Sequence, residues 1–356
     1  MAGPALPQEL WDIIIDILAT SRDDSDLEAC SLVCRSLVAP AQSHLFYPIS
    51  INHSERMGRF ARLTSSSPHL LAYVRKLYMW CEEETVTHAA RIPWTGLHCL
   101  QLAELSSTPP DSVLDAIKML VSMPSLRVLE FYDCPPTEHI RSIFPCCNAG
   151  LQTFGFHFGG YDPPNPPLQF AVAVSETSVP RPKIRALVLE HSSSAVHLLD
   201  DPECPLDFSA LEHVQCIASS NPGLAGFDIS DPRNNHESAL QWPCLESWLD
   251  LNVFPSLVHI TVDGVGPTVE AILARLSLAN GIVGMRLVLD DYLMGDIHVR
   301  DLQAVVLRRL PALRRMEVDA SRIMMVSGLD ETLHNVQGGL PWLYEKGILV
   351  VSFDLE

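Results

Sequence analysis

The chain has 356 residues, of which 47% are hydrophobic and 19% are charged, a balance that indicates a folded protein long enough for two domains or a repeat array. With 24 Lys and Arg against 43 Asp and Glu, the formal net charge is -19. This negative charge repels the phosphates of nucleic acids and of anionic membranes, so we expect neither as a partner.

The 10 cysteines are spread between Cys30 and Cys244, unlike those of a small secreted domain held together by disulfides. The N-terminal apolar run is interrupted by acidic residues and has no basic start, so no signal peptide is predicted. No stretch reaches the roughly 18 uncharged apolar residues of a membrane-spanning helix. We therefore expect reduced thiols and a location in the cytoplasm or the nucleus.

A first short helix is predicted from Leu6 to Leu18. Pro7 suits its first turn, because the N–H that proline lacks has no helical partner there. Leu10, Ile14 and Ile17 follow at spacings that place them on one face of the helix. Acidic residues lie mostly on the opposite side.

A second helix is predicted to begin at Ser25, which has capping-box spacing to Glu28. Pro40 ends this helix or opens a short third one. The apolar stripe of the second helix consists of Leu27, Cys30, Cys34 and Leu37.

Helices as short as these cannot bury all of their apolar surface among themselves, so part of it must meet another surface. By spacing alone, that surface is either a partner protein or the body of the chain, which the helices would then cap.

The Leu-Pro-x-Glu-Leu motif at residues 6–10 and the Val-Cys-Arg motif at residues 33–35 resemble the F-box, the module that binds the Skp-type adaptor of SCF ubiquitin ligases. The resemblance covers about residues 5–46 and also includes Leu18 and Ser31. It departs from the family at Leu37, where tryptophan is frequent, and in the longer acidic connection at residues 21–26. The resemblance implies that the adaptor contacts Leu6, Pro7, Leu10, Ile14, Leu27, Leu32, Val33 and Cys34.

From residue 74 onwards an apolar-x-x-apolar-x-apolar pattern recurs, and each copy predicts a strand. The copies begin 23 to 33 residues apart, except for one spacing of 46 residues, where we expect an insertion or a degenerate unit. They are Val74-Leu77-Met79, Leu97-Leu100-Leu102, Leu126-Leu129-Phe131, Leu151-Phe154-Phe156, Ile184-Leu187-Leu189, Leu211-Val214-Cys216, Leu257-Ile260-Val262 and Leu313-Met316-Val318, with a weaker copy at Gly284-Leu287-Leu289.

Helical patterns lie between these strands; Val113, Ile117 and Leu120, for example, share one helix face. Strand and helix alternating at this spacing predict an α/β fold, namely an irregular leucine-rich-repeat solenoid with a curved parallel sheet, in which each unit covers the apolar face of its neighbour. The alternative is a conventional α/β domain with a parallel sheet. This half also resembles the repeat region of leucine-rich F-box proteins, and residues 66–79 resemble the segment that leads into the repeats of many fungal members.

We therefore expect three parts: adaptor-docking helices at residues 1–50, a helical linker at 51–73 and a substrate-recognition repeat domain at 74–356. In each copy, the residue between the last two apolar positions should point away from the sheet core, on a face suited to holding a substrate. These residues are Gln101, Glu130, Gly155, Val188, Gln215, Thr261, Val288 and Glu317. Their mixed chemistry identifies no ligand.

The sequence contains no motif for catalysis or metal binding. Cys30 and Cys34 lack a second pair of ligands nearby, and the region of Cys204 and Cys216 lacks the closely spaced cysteine pair of a structural zinc site. The signatures of serine hydrolases, zinc proteases and phosphate-binding loops are also missing. We expect neither a metal nor a cofactor.

Together these features predict a non-catalytic subunit of an SCF-type cullin-RING ubiquitin ligase, which binds a Skp-type adaptor and presents an unknown protein substrate for ubiquitin-dependent degradation. One alternative is a leucine-rich-repeat scaffold for protein–protein interaction that has no ligase role. A third hypothesis, an enzyme on an α/β body, lacks a supporting motif.

Overall fold

The computed structural model of the chain describes residues 7–20, 24–134, 138–157, 181–190, 204–217, 254–263, 269, 272–273, 276, 280–288, 299–320 and 329–352. The chain forms two compact units. Unit 1 comprises Met1–Cys134 and Cys146–Gly150, and unit 2 comprises Pro135–Pro145 and Leu151–Glu356. None of the described helices combines the length and the apolar character needed to cross a membrane.

Unit 1 begins with three short helices, α1 (Gln8–Ala19), α2 (Ser25–Val33) and α3 (Arg35–Leu45). These helices enclose a small core of their own, because each contributes at least one fully buried side chain. The buried residues are Ile15 from α1, Leu27 from α2, and Leu37 and Ala41 from α3.

The second helix ends earlier than its apolar stripe predicts. Cys34 has an extended backbone, with φ -157° and ψ 158°, and separates α2 from α3. Pro40 therefore lies inside α3, where it lacks the N–H that would bond to the carbonyl of Ser36. Gln8 of α1 supplies a donor instead, since its Nε2 lies 3.2 Å from the Ser36 carbonyl oxygen. A contact between helices thus compensates for the proline.

Unit 1 continues with four strands and the helices between them. The strands are parallel and neighbour one another in chain order. The elements are β1 (Pro48–Ile51), α4 (Ser54–Ser66), a 3-10 helix (Pro68–Ala72), β2 (Lys76–Trp80), α5 (Glu83–Ala90), β3 (Cys99–Ala103), α6 (Asp111–Val121) and β4 (Val128–Tyr132).

Unit 2 repeats the arrangement with seven further described strands, again parallel and in chain order. Its elements are α7 (Glu138–Ile143), β5 (Thr153–His157), β6 (Ala186–Glu190), β7 (His213–Ile217), β8 (His259–Asp263), β9 (Gly284–Val288), α8 (Val299–Arg309), β10 (Arg315–Asp319), α9 (Leu329–Gly339), α10 (Pro341–Glu345) and β11 (Leu349–Ser352). A further 3-10 turn spans Phe144–Cys146. The predicted α/β class with parallel strands is therefore confirmed.

Successive strands are joined by one recurring backbone arrangement. The carbonyl just before a strand accepts two consecutive N–H groups from the start of the next strand. The Tyr47 carbonyl, for example, accepts from the N–H groups of Arg75 and Lys76 at 3.2 and 3.0 Å. The same pair of bonds recurs at the carbonyls of Arg75, His98, Gln152, Arg185, Glu212, Val258 and Val283. This shared arrangement explains why the apolar pattern returns in the same phase in most copies.

The strand register differs from the prediction in β9. Its inward side chains are Met285 and Leu287, so Arg286 occupies the outward position that the sequence pattern assigned to Val288. Arg286 pairs with the outward residues of both neighbouring strands, whereas Val288 lies two residues further along and is buried. The apolar residues in register with the neighbouring strands are Ile282, Met285 and Leu287, so the predicted copy starts two residues too late. The inward and outward faces are unchanged, because residues two apart share a face.

The expected division into three parts stays a prediction, and the two compact units have other boundaries. The sheet of unit 1 starts at β1, before residue 74, because β1 pairs with β2. The two units divide inside the segment that was expected to be one repeat domain. The expected insertion or degenerate repeat falls at residues 218–253, outside the described residues, and β7 pairs directly with β8.

Candidate protein-docking surfaces

Helix α1 has two apolar faces, and they have different surroundings. Trp11, Ile15 and Leu18 pack against α2 and α3. Leu10, Ile14 and Ile17 follow one another along the outer face and are exposed, Ile17 to 63%. The face that the sequence pattern identified is therefore the outer one. Globular proteins rarely expose large apolar side chains in such a row without a partner.

The end of α2 exposes a second apolar group. Leu32 is 86% exposed and Val33 is 72% exposed, and Cys34, which follows them, is also exposed. Ile13 on α1 is also exposed, to 52%. We call the exposed apolar residues of α1 and α2 the N-terminal apolar surface; it consists of Leu10, Ile13, Ile14, Ile17, Leu32 and Val33.

The residues that the F-box resemblance implies as adaptor contacts divide into three groups. Six of them are exposed: Pro7, Leu10, Ile14, Leu32, Val33 and Cys34. Leu27 is 2% exposed and belongs to the core of the three helices, so it is not part of the N-terminal apolar surface. Leu6 lies outside the described residues. Ile13 and Ile17 are exposed as well but are not among the residues that the resemblance implies, although the spacing of Ile17 to Leu10 was a sufficient signal of a shared face.

Two polar contacts lie near these side chains, one between α1 and the end of α3 and one at the break between α2 and α3. Asp16 on α1 is in hydrogen-bond contact with His44 near the end of α3, with 2.8 Å between Oδ1 and Nε2. At the break between α2 and α3, the sulfur of Cys34 lies 3.0 Å from the hydroxyl of Ser36. That hydrogen bond lowers the pKa of the Cys34 thiol.

The outward face of β2–β4 in unit 1 carries aromatic and polar side chains. Tyr78 and Tyr132 meet edge-on across β3, with ring centroids 6.0 Å apart. Gln101 on β3 pairs in register with Tyr78 on one side and with Glu130 on the other, and it is only 7% exposed although it is on the outward face. We call Tyr78, Trp80, Gln101, Glu130 and Tyr132 the aromatic–carboxylate patch.

The outward face of unit 2 carries polar and charged side chains that contact one another across adjacent strands. His157 Nδ1 lies 2.8 Å from Glu190 Oε2. Arg286 forms ion pairs with two carboxylates of β10: its Nη2 lies 2.5 Å from Asp319 Oδ2, and its Nε lies 3.7 Å from Glu317 Oε1. These pairs join adjacent strands, so a large part of the charge on this face is already matched within the protein.

Two histidines stack on the same face. The rings of His213 on β7 and His259 on β8 have centroids 4.8 Å apart and are nearly parallel, at 4°. Gly284 on β9 makes room for this stack, since a β-carbon there would lie 2.2 Å from His259 Nδ1. Burial, and then the neighbouring His259, lower the pKa of His213.

The residues predicted to form a substrate face are less exposed than a free surface would be. Gln101, Gly155 and Val288 are buried, and the others are half-buried: Glu130, Val188, Gln215, Thr261 and Glu317. They alternate with buried inward residues along their strands, as residues on an outward face should. The sequence pattern did not select the aromatic residues next to them, because it selected one position per strand.

The described residues offer no metal centre, since no three His, Cys, Asp or Glu residues are grouped to hold an ion. Burial raises the pKa of Cys134 and of Cys216 to about 12. Burial, with a contribution from the Glu130 carboxylate, raises the pKa of Cys99 to about 11. These three thiols are therefore protonated near neutral pH and are poor nucleophiles.

A scan against models of protein families gives no match for this chain, and a search of the curated proteins gives none either.

Proposed function

We propose that this protein is the substrate-recognition subunit of an SCF-type cullin-RING ubiquitin ligase. Its N-terminal helices bind a Skp-type adaptor, and its repeats bind a target protein. The subunit carries out no chemistry. It raises the local concentration of the target near the ubiquitin-charged enzyme, and this effect is one of tethering.

The observation that carries the proposal is the N-terminal apolar surface. The three helices already have a core, so these side chains are not needed to fold the unit. Together they expose the equivalent of about three and a half large side chains, whose burial contributes about 5–10 kcal/mol before the costs of association. A docking interface accounts for this surface, and the F-box resemblance supplies the kind of partner.

A second candidate function is a leucine-rich-repeat scaffold without a ligase role. It is favoured by the direct connection between α3 and the sheet, because the Tyr47 carbonyl already bonds to the start of β2. The three helices would then serve as a cap on the repeats. A cap buries its apolar face against the body that it covers, whereas Leu32 and Val33 are exposed, so we prefer the ligase proposal.

Co-expression of the full chain with a Skp-type adaptor tests the proposal. We expect a stable 1:1 complex in size-exclusion chromatography. Leu10→Asp and Val33→Asp should each abolish it, because a carboxylate would be buried without a partner at the interface. Met119→Asp is the matched control, since Met119 on α6 is also exposed but lies outside the N-terminal apolar surface.

A folded, monodisperse chain that forms no complex would contradict the proposal and support the scaffold. A complex that survives both aspartate substitutions would show that the N-terminal apolar surface does not carry the interaction with the adaptor. Circular dichroism and the melting temperature of each variant establish that the loss of binding is not a loss of folding.

A further inference from the structure

The aromatic–carboxylate patch in unit 1 is a small structured surface rather than a set of separate side chains. Trp80 donates its Nε1–H to the Tyr78 hydroxyl at 3.3 Å. The ring of His53 packs edge-on against Trp80, with ring centroids 5.3 Å apart. Tyr78 in turn meets Tyr132 across β3. The aromatic rings thus form a connected row over the outward face of the strands.

The carboxylate of Glu130 is held at this row by two donors. Gln101 Nε2 donates to Glu130 Oε2 and also to the Tyr132 hydroxyl, the latter at 3.0 Å. The Tyr132 hydroxyl donates to Glu130 Oε2 at 3.0 Å. Both donors use the same oxygen, so within the described part of the chain Oε1 receives no hydrogen bond.

Charge separates this face from that of unit 2. There, Arg286 pairs with Glu317 and Asp319. No ion pair to a basic side chain involves Glu130 among the described residues of unit 1. Glu82 and Glu104, which follow β2 and β3, add further carboxylates at the carboxyl ends of these strands.

We propose that the aromatic–carboxylate patch binds an arginine or lysine side chain from a basic segment of the target protein. The faces of tryptophan and tyrosine attract cations, and the free oxygen of Glu130 accepts a charge-assisted hydrogen bond. Arginine fits best, because its planar guanidinium can stack on a ring while it donates to a carboxylate. The net charge of -19 favours the approach of such a segment.

Other occupants fit the patch less well. An apolar side chain would cover Glu130 without giving Oε1 a donor, and a buried carboxylate that lacks a partner is costly. An acidic segment or a nucleic acid would be repelled by the same carboxylates. The identity of the bound protein as a ligase substrate rests on the proposed function, but the binding itself does not.

The test uses the full chain and short, capped, fluorescently labelled peptides, in which a fixed central residue is flanked by randomised residues. Fluorescence anisotropy compares a pool with central arginine to a pool with central citrulline, which has nearly the same shape but no charge. We expect the arginine pool to bind about 10-fold more tightly, and salt to reduce the difference. This comparison needs no variant and so does not depend on the folding of one.

Glu130→Gln should lower the affinity for the arginine pool by about 10-fold. The matched control is Glu55→Gln, which removes the same charge from the exposed face of α4 and should change the affinity by less than about twofold. Equal binding of the arginine and citrulline pools would overturn the inference, as would equal effects of the two substitutions. The titration contains no adaptor. A negative result here therefore leaves the chromatographic test of the ligase proposal unaffected, and the reverse also holds.

Discussion

Leu27 and Leu32 lie on the same helix, α2, and the same substitution to alanine should affect them in opposite ways. Leu27 is 2% exposed and fills the core of the three N-terminal helices, whereas Leu32 is 86% exposed. Leu27→Ala should destabilise the three helices and leave the docking surface chemically unchanged. Leu32→Ala should leave their stability unchanged and weaken docking.

The magnitudes follow from burial. A leucine-to-alanine change in a packed core costs about 2–5 kcal/mol, and this core is too small to close around the cavity easily. Leu32 has only about one seventh of its surface inside the fold, so the same change there costs less than about 0.4 kcal/mol. The two variants should therefore differ by at least about 1.5 kcal/mol in the local free energy of unfolding.

Hydrogen exchange of the full chain, followed by mass spectrometry on peptides from α1–α3, measures this free energy locally. Leu27→Ala should accelerate exchange by about 30-fold or more, and Leu32→Ala by less than about twofold. In the adaptor assay Leu32→Ala should weaken the complex, since it removes apolar area from the interface. If Leu32→Ala accelerates exchange as much as Leu27→Ala, Leu32 is packed within the chain, and the argument for a free docking surface is wrong.

Three other predictions concern a thiol, a glycine and a histidine. Iodoacetamide should modify Cys34 before the buried thiols, because it is exposed and its pKa is lowered, and bound adaptor should slow the reaction as measured by peptide mass spectrometry. Gly284→Ala should cost about 1–3 kcal/mol in urea denaturation, because its β-carbon would displace His259 from the histidine stack, whereas Gly338→Ala, with nothing within 4 Å, should cost nothing. The lowered pKa of His213 means that, as the pH falls below 6.5, the unfolded chain takes up a proton that the folded chain resists. The urea midpoint should therefore fall in that range, and His213→Gln should reduce the fall; an unchanged pH profile in His213→Gln would contradict this assignment.

Much of the fold was predictable because the signals are local. The apolar pattern that includes Leu100 and Leu102 marks a buried strand, and its return along the chain predicts parallel strands in chain order. The prediction failed where local spacing has two solutions. In β9, the predicted copy at Gly284 starts two residues later than the apolar set Ile282, Met285 and Leu287. Only pairing with β8 and β10 shows that Arg286, and not Val288, is in register with Thr261 and Glu317.

The docking surfaces were predictable only in part. Spacing identified the apolar row Leu10, Ile14 and Ile17, but it could not show which side of α1 faces solvent, since Trp11, Ile15 and Leu18 form an equally good apolar face. The resemblance to the F-box suggested Leu27 and Leu32 alike, although one lies in the core and the other is exposed.

The order of apolar and polar residues along the chain is thus sufficient for the class of fold, the sequence of strands and helices and the excess of negative charge. Contacts between distant segments determined which residues pack against or bond to one another. They selected the buried face of α1, supplied Gln8 to the carbonyl that Pro40 leaves without its usual donor, and brought Tyr78, Gln101 and Glu130 from three strands into one patch. The physical reason is that burial and hydrogen bonding are properties of pairs, and the partners here are separated by about 20 to 50 residues of chain, beyond the reach of any local pattern.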